Sequence, residues 1–567
     1  MLKKMKIDIM RHSISHIMAA SVKELFPGVK FGMGPAIENG FYYDFDLKQA
    51  PGPQDLPKIE KRMKEMIQQN LIFKKKMVSK AEAKKIFKDQ PYKLELTQEL
   101  PGENVTLYQS GDFPDLCKGP HIKSTKEIDP QSFKLTRIAG AYWKGKESNP
   151  MLTRIYGVAF ENKADLENYL RIQAEAEKRD HRLLGQKLEL FMFDDEIGAG
   201  LPLWMPKGAT LRKIIENYLY RELSLQGYKW VATPHIAKLD LWKTSGHWNL
   251  YRENMYSPIK IDEEEYMLKP MNCPFHVKIY NSKTRSYKDL PLRYAELGTV
   301  YRYEKSGVLH GLTRVRGFTQ DDAHLICTPE DLSEELTKLL KSGIKILKTF
   351  GFKDFDIYLS TMPEKHAGDI KSWTKATNAL KFVLNKLKLK YSVDPEGGVF
   401  YGPKIDIKVK DSLQRSWQCT TIQVDFNLPE RFKMVYIDKK GKKQTPNMIH
   451  RALLGSLERF IGVLIEHYAG ALPLWLSPFQ VWVVPIADRH AKYALEVVEA
   501  LKNDFRVELK NENETVSKKI REGEMQKIPY LLVVGDAEMK KKTVRVRERG
   551  KGDIGEMKLN KFLKSIQ

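Results

Sequence analysis

Two pairs of side chains near the start of the chain could bind a metal ion or move protons. His12 and His16 are four residues apart in a helical pattern, so both imidazoles lie on one helix face. Cys117 and His121 are also four residues apart, in a loop-like CKGPH segment. All four side chains are of types that ligate zinc or act as acids and bases. The spacing does not show that the two pairs meet, and two core histidines beside an unrelated loop are the alternative.

A second set of such side chains lies in the middle of the chain. It comprises Cys273, His276, His324, Cys327 and His450. Any three of them could form a zinc site with an open coordination position. The spacing does not choose among the combinations, and scattered core residues are the alternative. We expect His450 to open a helix.

The segment 301–318 predicts a β-hairpin with charged side chains on both strands. Arg302 and Glu304 belong to the first strand, and Arg314 and Phe318 to the second. Arginine binds phosphate oxygens bidentately and an aromatic ring stacks on a base, so the hairpin could hold a nucleotide. A salt-bridged surface hairpin is the alternative.

The length and the composition of the chain indicate a large, basic, multidomain protein. A chain of 567 residues predicts about three or four domains. The net charge of +23 indicates a polyanionic partner such as nucleic acid. Four cysteines exclude a disulfide scaffold and suit a reducing cytoplasm. No apolar stretch approaches the ~20 residues that span a bilayer, so we expect no membrane partner.

The hydrophobic pattern divides the chain into four segments and predicts an α+β multidomain fold. Residues 1–160 mix strands with helices, and a charged helical pattern over 161–185 predicts a linker helix. In 186–475, strands follow one another through loops, which favours an antiparallel sheet, with a helix predicted over 451–468. Residues 476–567 alternate strands and helices, which predicts a small parallel-type α/β domain.

Several segments resemble class II aminoacyl-tRNA synthetases. The hairpin is similar to motif 2 of that class, and the segment HRALLGSLERF is similar to motif 3. The predicted helix over 211–225, together with the strand after it, is similar to motif 1. The threonyl-tRNA synthetase family is resembled by four segments, which are KPMNCPFH, LHGLTRVRGFTQDDAH, WQCTTIQVDF and MIHRALLGSLERF. The editing domain of that family is resembled by three segments nearer the N-terminus, which are RHSISH, NGFYYDFD and DLCKGPHI. The resemblance is collinear over the chain and implies a form without the family's N-terminal ubiquitin-like domain.

The resemblance implies an ATP-dependent threonine–tRNA ligase in which 186–475 is the catalytic domain. The implied zinc ligands are Cys273, His324 and His450. The implied ATP-binding residues, acting with Mg²⁺, are Arg302, Glu304, Arg314, Phe318, Gln418, Gln423 and Arg459. The implied threonine-binding residues are Gln320, Asp322 and Tyr401. Arg302 and Arg459 are implied to be catalytic, and His247 to assist aminoacyl transfer.

A separate editing site is expected because threonine and serine are hard to distinguish. Zinc can be chelated by the amino and hydroxyl groups of threonine, and because valine has no hydroxyl group, such a site should discriminate against it by a factor of roughly 10⁴ or more. Serine has both groups and lacks only one methyl group, so the same site discriminates against it poorly. The resemblance implies that residues 1–160 hydrolyse mischarged Ser-tRNA(Thr), and we expect a positioned water rather than a metal. The implied editing residues are His12, His16, Tyr43, Lys93, Asp115, Cys117 and His121.

The remaining implications concern partners. The resemblance makes 476–567 an anticodon-binding domain that reads tRNA(Thr) through Asn513, Glu538 and Arg547. The basic segment 540–547 suits phosphate contacts, although a solvated edge strand is the alternative. Motif 1 implies a homodimer. Two other functions are possible alternatives. A non-enzymatic RNA-binding protein of the same fold would be expected to lack Arg302, Arg459 or the zinc ligands, and this sequence has all of them. A zinc hydrolase would have no use for either arginine.

Overall fold

The structure is a computed structural model that describes residues 2–566. The chain forms two units, Met1–Glu175 and Ala176–Gln567. No helix within residues 2–566 combines the length and the apolar composition that crossing a bilayer would require. All four cysteines carry free thiols.

The first unit contains two antiparallel sheets and a long N-terminal helix. Its helices are α1 (Leu2–Leu25), α2 (Leu56–Gln68), α3 (Lys80–Ile86), α4 (Pro91–Glu99) and α5 (Lys163–Arg179), within which the unit boundary falls. Its strands are β1 (Lys30–Phe31), β2 (Ala36–Ile37), β3 (Gly40–Asp46), β4 (Phe73–Ser79), β5 (Asn104–Ser110), β6 (Phe113–Leu116), β7 (Phe133–Tyr142) and β8 (Met151–Ala159). One sheet has the order β1-β3-β8-β7, with β2 beside β3, and the other has the order β4-β5-β6.

Helix α1 forms because apolar side chains recur at helical spacing and face a sheet. Ile14, Ile17 and Met18 are fully buried in a core that includes Phe41 and Phe45 of β3. The helix predicted around RHSISH is therefore confirmed.

The second unit contains the remaining elements. Its helices are α6 (His181–Lys187), α7 (Pro206–Leu225), α8 (Leu239–Ser245), α9 (His247–Leu250), α10 (Cys273–Tyr280), α11 (Leu332–Thr349), α12 (Ile370–Lys386), α13 (Asn427–Arg431), α14 (Leu457–His467), α15 (Ala491–Leu501), α16 (Val516–Met525), α17 (Asp536–Lys541) and α18 (Leu559–Ile566). Its first strands are β9 (Phe191–Met192), β10 (Leu203–Trp204), β11 (Lys229–Trp230), β12 (Ile236–Lys238), β13 (Ile259–Ile261), β14 (Glu264–Leu268), β15 (Arg285–Ser286), β16 (Leu292–Tyr301), β17 (Gly317–Cys327), β18 (Phe355–Ser360) and β19 (Ser392–Asp394). The later strands are β20 (Lys404–Lys410), β21 (Ser416–Asp425), β22 (Tyr436–Ile437), β23 (Lys443–Gln444), β24 (Asn447–Ser456), β25 (Val481–Pro485), β26 (Val507–Leu509), β27 (Tyr530–Val534), β28 (Thr543–Glu548) and β29 (Gly552–Lys558).

An eight-stranded sheet forms the centre of this unit, in the order β11-β16-β17-β24-β21-β20-β18-β19. The pairs at its two edges are parallel, and all the pairs between them are antiparallel. Helices α7, α11, α12 and α14 share one apolar core with the sheet, through side chains such as Leu336, Leu380 and Phe460. The antiparallel sheet predicted for 186–475 is confirmed, and β16 and β17 pair up to Tyr301 and Gly317. The loop of the predicted hairpin is longer than expected, so the placement of Arg302 and Glu304 on its first strand and Arg314 on its second is wrong: all three lie in the loop 302–316, and only Phe318 lies on a strand.

The helix predicted over 451–468 is wrong in its first part, because His450 to Ser456 belong to β24. This strand lies between β17 and β21 and pairs with both, so tertiary pairing overrides the helical pattern. Gly455 has a φ of +83°, and the helix begins only at Leu457. The Oγ of Ser456 accepts the backbone N–H of Arg459 at 3.2 Å and caps α14.

The helical pattern over 161–185 is present as two helices, α5 and α6. Asp180 lies between them, and its Oδ1 accepts the backbone N–H of Arg182 at 2.8 Å. An aspartate in this position caps the N-terminus of the second helix, so the chain restarts its helix at His181.

The C-terminal residues form a mixed sheet in the order β26-β25-β27-β28-β29. Strand β25 is parallel to β26 and β27, as the alternation of elements predicts. Strands β28 and β29 are antiparallel additions that the pattern did not predict. The connection 535–542 is shorter than the roughly dozen residues that a crossover to a parallel strand needs. The alternative of a basic edge strand is wrong, because β28 lies between β27 and β29.

Candidate active site

Strand register brings a thiol and two imidazoles together in the second unit. His324 on β17 is the direct cross-strand partner of His450 on β24, and His324 Nε2 lies 2.9 Å from His450 Nδ1. Cys273 joins them from the first position of α10. The potential ligand atoms of these three residues lie within 4.8 Å of one another, and all three side chains are buried.

The outer nitrogen of each imidazole has its own partner. His450 Nε2 lies 2.8 Å from Asp425 Oδ2. His324 Nδ1 lies 2.8 Å from His276 Nδ1, and His276 Nε2 lies 3.1 Å from Glu296 Oε2. Each carboxylate can accept a hydrogen bond from an imidazole N–H, Asp425 from His450 and Glu296 from His276. The inner nitrogens of His324 and His450 can then present lone pairs to one cation. His276 is thus a supporting residue and not a member of the triad.

Burial sets the protonation of this triad. It raises the pKa of the Cys273 thiol well above its usual range and lowers the pKa of His324 well below its usual range. Two imidazole nitrogens and a thiol that loses its proton on binding are a donor set typical of a three-ligand zinc site. The residues therefore fit zinc. Cys327 lies outside this cluster and is buried in the apolar core.

His247, the other predicted catalytic residue, lies behind Cys273. Its Nε2 is 3.9 Å from Cys273 Sγ and 3.0 Å from Met271 Sδ, and its Nδ1 is 2.7 Å from Ser245 Oγ. Burial lowers its pKa to about 3. His247 is fully buried and is not among the described residues that line the cleft.

The triad lies in a cleft of about 380 Å³ on the face of the sheet opposite the helices. Alternate side chains of β17, Phe318, Gln320, Asp322 and His324, line it, because successive residues of a strand point to opposite faces. Six residues of strand separate Phe318 from His324, which corresponds to about 20 Å. The cleft is therefore long enough for two substrates placed end to end.

The end of the cleft away from the triad is basic and aromatic. The Arg302 guanidinium carbon lies 5.1 Å from the centre of the Phe318 ring, and Arg302 Nε donates to the Pro270 carbonyl at 3.2 Å. Arg314 pairs with Glu304 at 3.0 Å. Burial lowers the pKa of Arg459, but an arginine stays charged in proteins. Arg302, Glu304, Arg314 and Phe318, which the sequence placed on one hairpin, all line the cleft together with Arg459.

Between its two ends, the cleft is lined by side chains that are hydrogen-bonded to one another or to neighbouring residues. Tyr401 donates to Gln423 Oε1 at 2.6 Å, and the Asn272 amide donates to Asp322 Oδ2 at 3.0 Å. Gln418 lies on the same face as Gln423, although the two are five positions apart and strict alternation would place them on opposite faces. A register shift in the pairing of β20 with β21 accounts for this, since a bulge turns a side chain to the other face.

The four predicted groups of the first unit also meet. Cys117 Sγ lies 3.4 Å from His12 Nε2 and 3.3 Å from His121 Nε2, and the ring centroids of His16 and His121 are 4.4 Å apart. Three of the four residues are only half-buried. The alternative of two core histidines beside an unrelated loop is therefore wrong.

A buried ionic group supports this cluster on one side. Asp115 Oδ1 pairs with Lys93 at 2.5 Å, and Asp115 Oδ2 accepts the Tyr43 hydroxyl at 2.6 Å. His16 Nδ1 lies 3.3 Å from the same Oδ2. All seven residues predicted around this site lie in one contiguous group.

Burial keeps the cluster uncharged. It lowers the pKa of His12 and, further, that of His16, and it lowers the pKa of His121 to about 2. Burial also raises the pKa of the Cys117 thiol to about 11. At neutral pH the cluster therefore offers neutral imidazoles and a protonated thiol, and no thiolate nucleophile.

The predicted anticodon residues are placed in separate elements. Asn513 is exposed in the loop before α16. Glu538 on α17 is buried, and its Oε2 accepts the backbone N–H of Gly535 at 2.9 Å. Arg547 on β28 pairs with Glu524 at 3.0 Å. Within residues 2–566, no hydrogen bond or ion pair joins any of these three residues to another.

Several residues that support these sites were not predicted. They are Ser13, Asn272, Glu296 and Asp425, and His276 was named only as a possible zinc ligand and not as a supporting residue. Asp425 ends the WQCTTIQVD strand and His276 follows Cys273 closely, so proximity to a predicted ligand was the available signal for these two. The others are ordinary polar residues in the sequence, and only pairing in three dimensions gives them a role.

Comparisons with known proteins cover most of the chain. The family model of the tRNA synthetase class II core domain (G, H, P, S and T) matches residues 256–468. An anticodon binding domain matches 480–567. The second additional domain of threonyl and alanyl tRNA synthetases matches 105–156.

Individual relatives match over nearly the whole length. A threonine–tRNA ligase of Sulfurihydrogenibium sp. (strain YO3AOP1) is 52% identical over 572 residues, which covers 100% of this chain and 89% of the relative. One from Dehalococcoides mccartyi (strain CBDB1) is 54% identical over 544 residues, or 96% of this chain and 93% of the relative. A crystal structure of the RNA binding domain of threonyl-tRNA synthetase from Cryptosporidium parvum Iowa II is 43% identical, covers 68% of this chain and 97% of its own, and has a TM-score of 0.65. The chain therefore belongs to the threonyl-tRNA synthetase family of class II aminoacyl-tRNA synthetases.

Proposed function

We propose that this protein joins threonine to tRNA(Thr) by way of threonyl-adenylate, at the expense of ATP, and hydrolyses mischarged Ser-tRNA(Thr) in its first unit. One observation carries the proposal. A single cleft holds a buried thiol–imidazole triad at one end and three arginines with an aromatic ring at the other. The first end suits a small amino acid with a hydroxyl group, and the second suits a nucleoside triphosphate.

The basic end accounts for the use of ATP. Arg302 would contact the α-phosphate, where charge develops as the carboxylate of threonine attacks and pyrophosphate leaves. Arg459 would hold the γ-phosphate, with Arg314 nearby, and Mg²⁺ would accompany the triphosphate. Phe318 would stack on adenine, with Glu304 hydrogen-bonded to it. The Arg314–Glu304 pair keeps both groups within the cleft before ATP arrives.

The buried end accounts for the choice of threonine. Bound zinc would supply a Lewis-acidic centre that holds the amino and hydroxyl groups of threonine, a pair of ligands that valine lacks. Asp322, Gln320 and Tyr401 would surround the amino acid and exclude water. The Asn272 contact fixes Asp322, and Gln423 fixes Tyr401, so this part of the pocket is pre-formed.

Serine remains as a competitor, and the cluster in the first unit is placed to remove it. A missing methyl group costs only about 1–3 kcal/mol of discrimination. The neutral imidazoles of His12, His16 and His121 can accept hydrogen bonds from a water molecule and orient it towards the ester carbonyl. Lys93, paired with Asp115, would bring positive charge near the oxyanion that forms.

Further assignments follow from this reading. Residues 1–160 serve as the editing domain, 186–475 as the catalytic domain and 476–567 as the anticodon-binding domain. Asn513 and Arg547 would contact the anticodon, and the buried Glu538 would contribute by holding the backbone at Gly535. His247 is buried and does not line the cleft, so it would assist transfer to tRNA indirectly, through its contact with Met271, which does line it. The exposed apolar side chains of Tyr220 and Leu225 on α7 would be covered in a homodimer, and four free thiols suit a cytoplasmic enzyme.

Pyrophosphate exchange with threonine, serine and valine tests this proposal directly. We expect exchange with threonine and serine and a rate with valine lower by about 10⁴-fold. Ser-tRNA(Thr) should be hydrolysed and Thr-tRNA(Thr) spared. Exchange that is independent of the amino acid supplied, or equal with threonine and valine, would contradict the proposal.

A further inference from the structure

His181, the first residue of α6, is fully buried and joins two elements of the catalytic domain. Its Nδ1 lies 2.6 Å from Glu466 Oε1 on α14. The backbone N–H of Leu312, in the loop between β16 and β17, donates to its Nε2 at 3.0 Å. A ring nitrogen that accepts an N–H carries no proton itself. The imidazole is therefore the neutral tautomer with its proton on Nδ1, which donates to Glu466.

The loop is shaped to reach this imidazole. His310 and Arg314 close a tight turn, because the carbonyl of His310 accepts the Arg314 N–H at 3.2 Å and its N–H donates to the Arg314 carbonyl at 3.1 Å. Gly311 within the turn has a φ of +46°, and a Cβ there would lie 2.2 Å from His181 Nε2. Only glycine permits this approach.

The opposite side of the same turn faces the ATP end of the cleft. The carbonyl of Thr313, the residue after Leu312, accepts the Nε of Arg459 at 3.0 Å. Arg314, the next residue, pairs with Glu304 at 3.0 Å. A shift of the Leu312 backbone would therefore move the groups that orient Arg459 and Glu304.

We propose that His181 is a positioning residue for ATP, acting through its Nε2 and the Leu312 N–H on the turn 310–314. This inference rests on the proposed function, since it assigns ATP to the end of the cleft that holds Arg459. His181 touches neither substrate, and its effect passes through the backbone. It gives the start of α6 a role in catalysis that none of the predicted motifs includes.

A purely structural role for His181 would instead depend on its other nitrogen. Glu466 also accepts the backbone N–H of His181 at 3.2 Å and pairs with Arg415 at 2.5 Å, so the Nδ1 side belongs to a buried ionic group. The two roles use different atoms of one ring. They can be separated because a glutamine amide reaches about as far as Nε2 and an asparagine amide about as far as Nδ1.

The test compares His181→Gln with His181→Asn in pyrophosphate exchange, with ATP and threonine varied separately. The glutamine carbonyl can still accept the Leu312 N–H, whereas asparagine can still donate to Glu466 but leaves Leu312 without its acceptor. We expect His181→Asn to raise the KM for ATP by roughly three- to tenfold, the size of one lost hydrogen bond. The KM for threonine and the hydrolysis of Ser-tRNA(Thr) should not change, and His181→Gln should lie closer to the wild type.

An unchanged KM for ATP in His181→Asn, or a larger rise in His181→Gln than in His181→Asn, would overturn the proposal. If His181→Asn fails to fold, Gly311→Ala perturbs the same contact from the loop. It should raise the KM for ATP and not that for threonine, and an unchanged KM for ATP would again overturn the proposal. Absence of threonine-dependent exchange in the wild type would refute the proposed function instead, so the two failures are distinguishable.

Discussion

The buried cluster of Cys273, His324 and His450 has three members, whereas the cluster around Cys117 in the first unit has four and is half exposed. In the buried cluster the outer nitrogens of both imidazoles are bound to buried partners, and the inner atoms converge. In the half-buried cluster His121 Nε2 and His12 Nε2 face the thiol itself, and the Nδ1 atoms of His121 and His16 lie beside Ser13 and Asp115. The same residue types therefore occupy two different environments.

This difference shows that the partners around a cluster matter as much as its members. Three ligands leave zinc an open position for a substrate, whereas four ligands would complete its tetrahedral shell. A half-exposed group of neutral imidazoles can instead hold a water molecule. The comparison gives amino-acid recognition to the buried cluster and hydrolysis to the exposed one.

Substitution of His121 should impair hydrolysis in the first unit and leave amino-acid activation in the second unit intact. We expect His121→Ala to slow hydrolysis of Ser-tRNA(Thr) by about 10²- to 10⁴-fold, the usual contribution of a positioned acid or base. Threonine activation, measured by pyrophosphate exchange on the same preparation, is the internal control and should be unchanged. Equal loss of both activities would show that the two sites are not independent.

Substitution of His276 should weaken the buried cluster without removing a ligand. His276→Phe takes away the partner of His324 Nδ1 and the link to Glu296. Loss of such a supporting contact typically costs about 10- to 100-fold in metal affinity, so zinc should pass to a chelating dye faster by a similar factor. Ser13→Ala, beside His121 in the other cluster (Oγ–Nδ1 3.0 Å), is the matched control and should leave zinc release unchanged. The same release rate in all three proteins would mean that His276 does not support the site.

The smallest expected effect concerns pH. Burial lowers the pKa values of His12, His16 and His121, so their neutral forms persist as the pH falls below the ordinary histidine value of about 6.5. Between pH 7.5 and 5.5 the enzymatic hydrolysis of Ser-tRNA(Thr), corrected for spontaneous hydrolysis, should change by less than about twofold. A histidine with an ordinary pKa would lose about tenfold over this range, and a loss of that size would contradict the neutral cluster.

The sequence identified the candidate residues better than their arrangement. The residues of both clusters could be named from type and spacing, but not that they meet. Convergence depends on the register of β17 with β24 and on the packing of α1 against the loop after β6. Both are contacts between distant parts of the chain, which spacing alone does not encode.

The misassigned helix at His450 has a similar cause. Its segment carries apolar residues at spacings that fit a helix, yet it lies between two strands that pair with its backbone. Asp425, Glu296 and His181 were missed because a buried polar partner looks like any other polar residue until its neighbours are known. The pairing at the base of the hairpin was predicted because it is local, but the loop 302–316 is longer than the sequence pattern indicated.

The zinc content of the wild type and of two cysteine variants tests most directly the claim that the buried cluster binds zinc and the cluster around Cys117 does not. Metal analysis should find about one zinc per chain in the wild type and in Cys117→Ser, and almost none in Cys273→Ser, because a serine hydroxyl is a poor replacement for a zinc-bound thiolate. Zinc that stays in Cys273→Ser and leaves in Cys117→Ser would contradict the account.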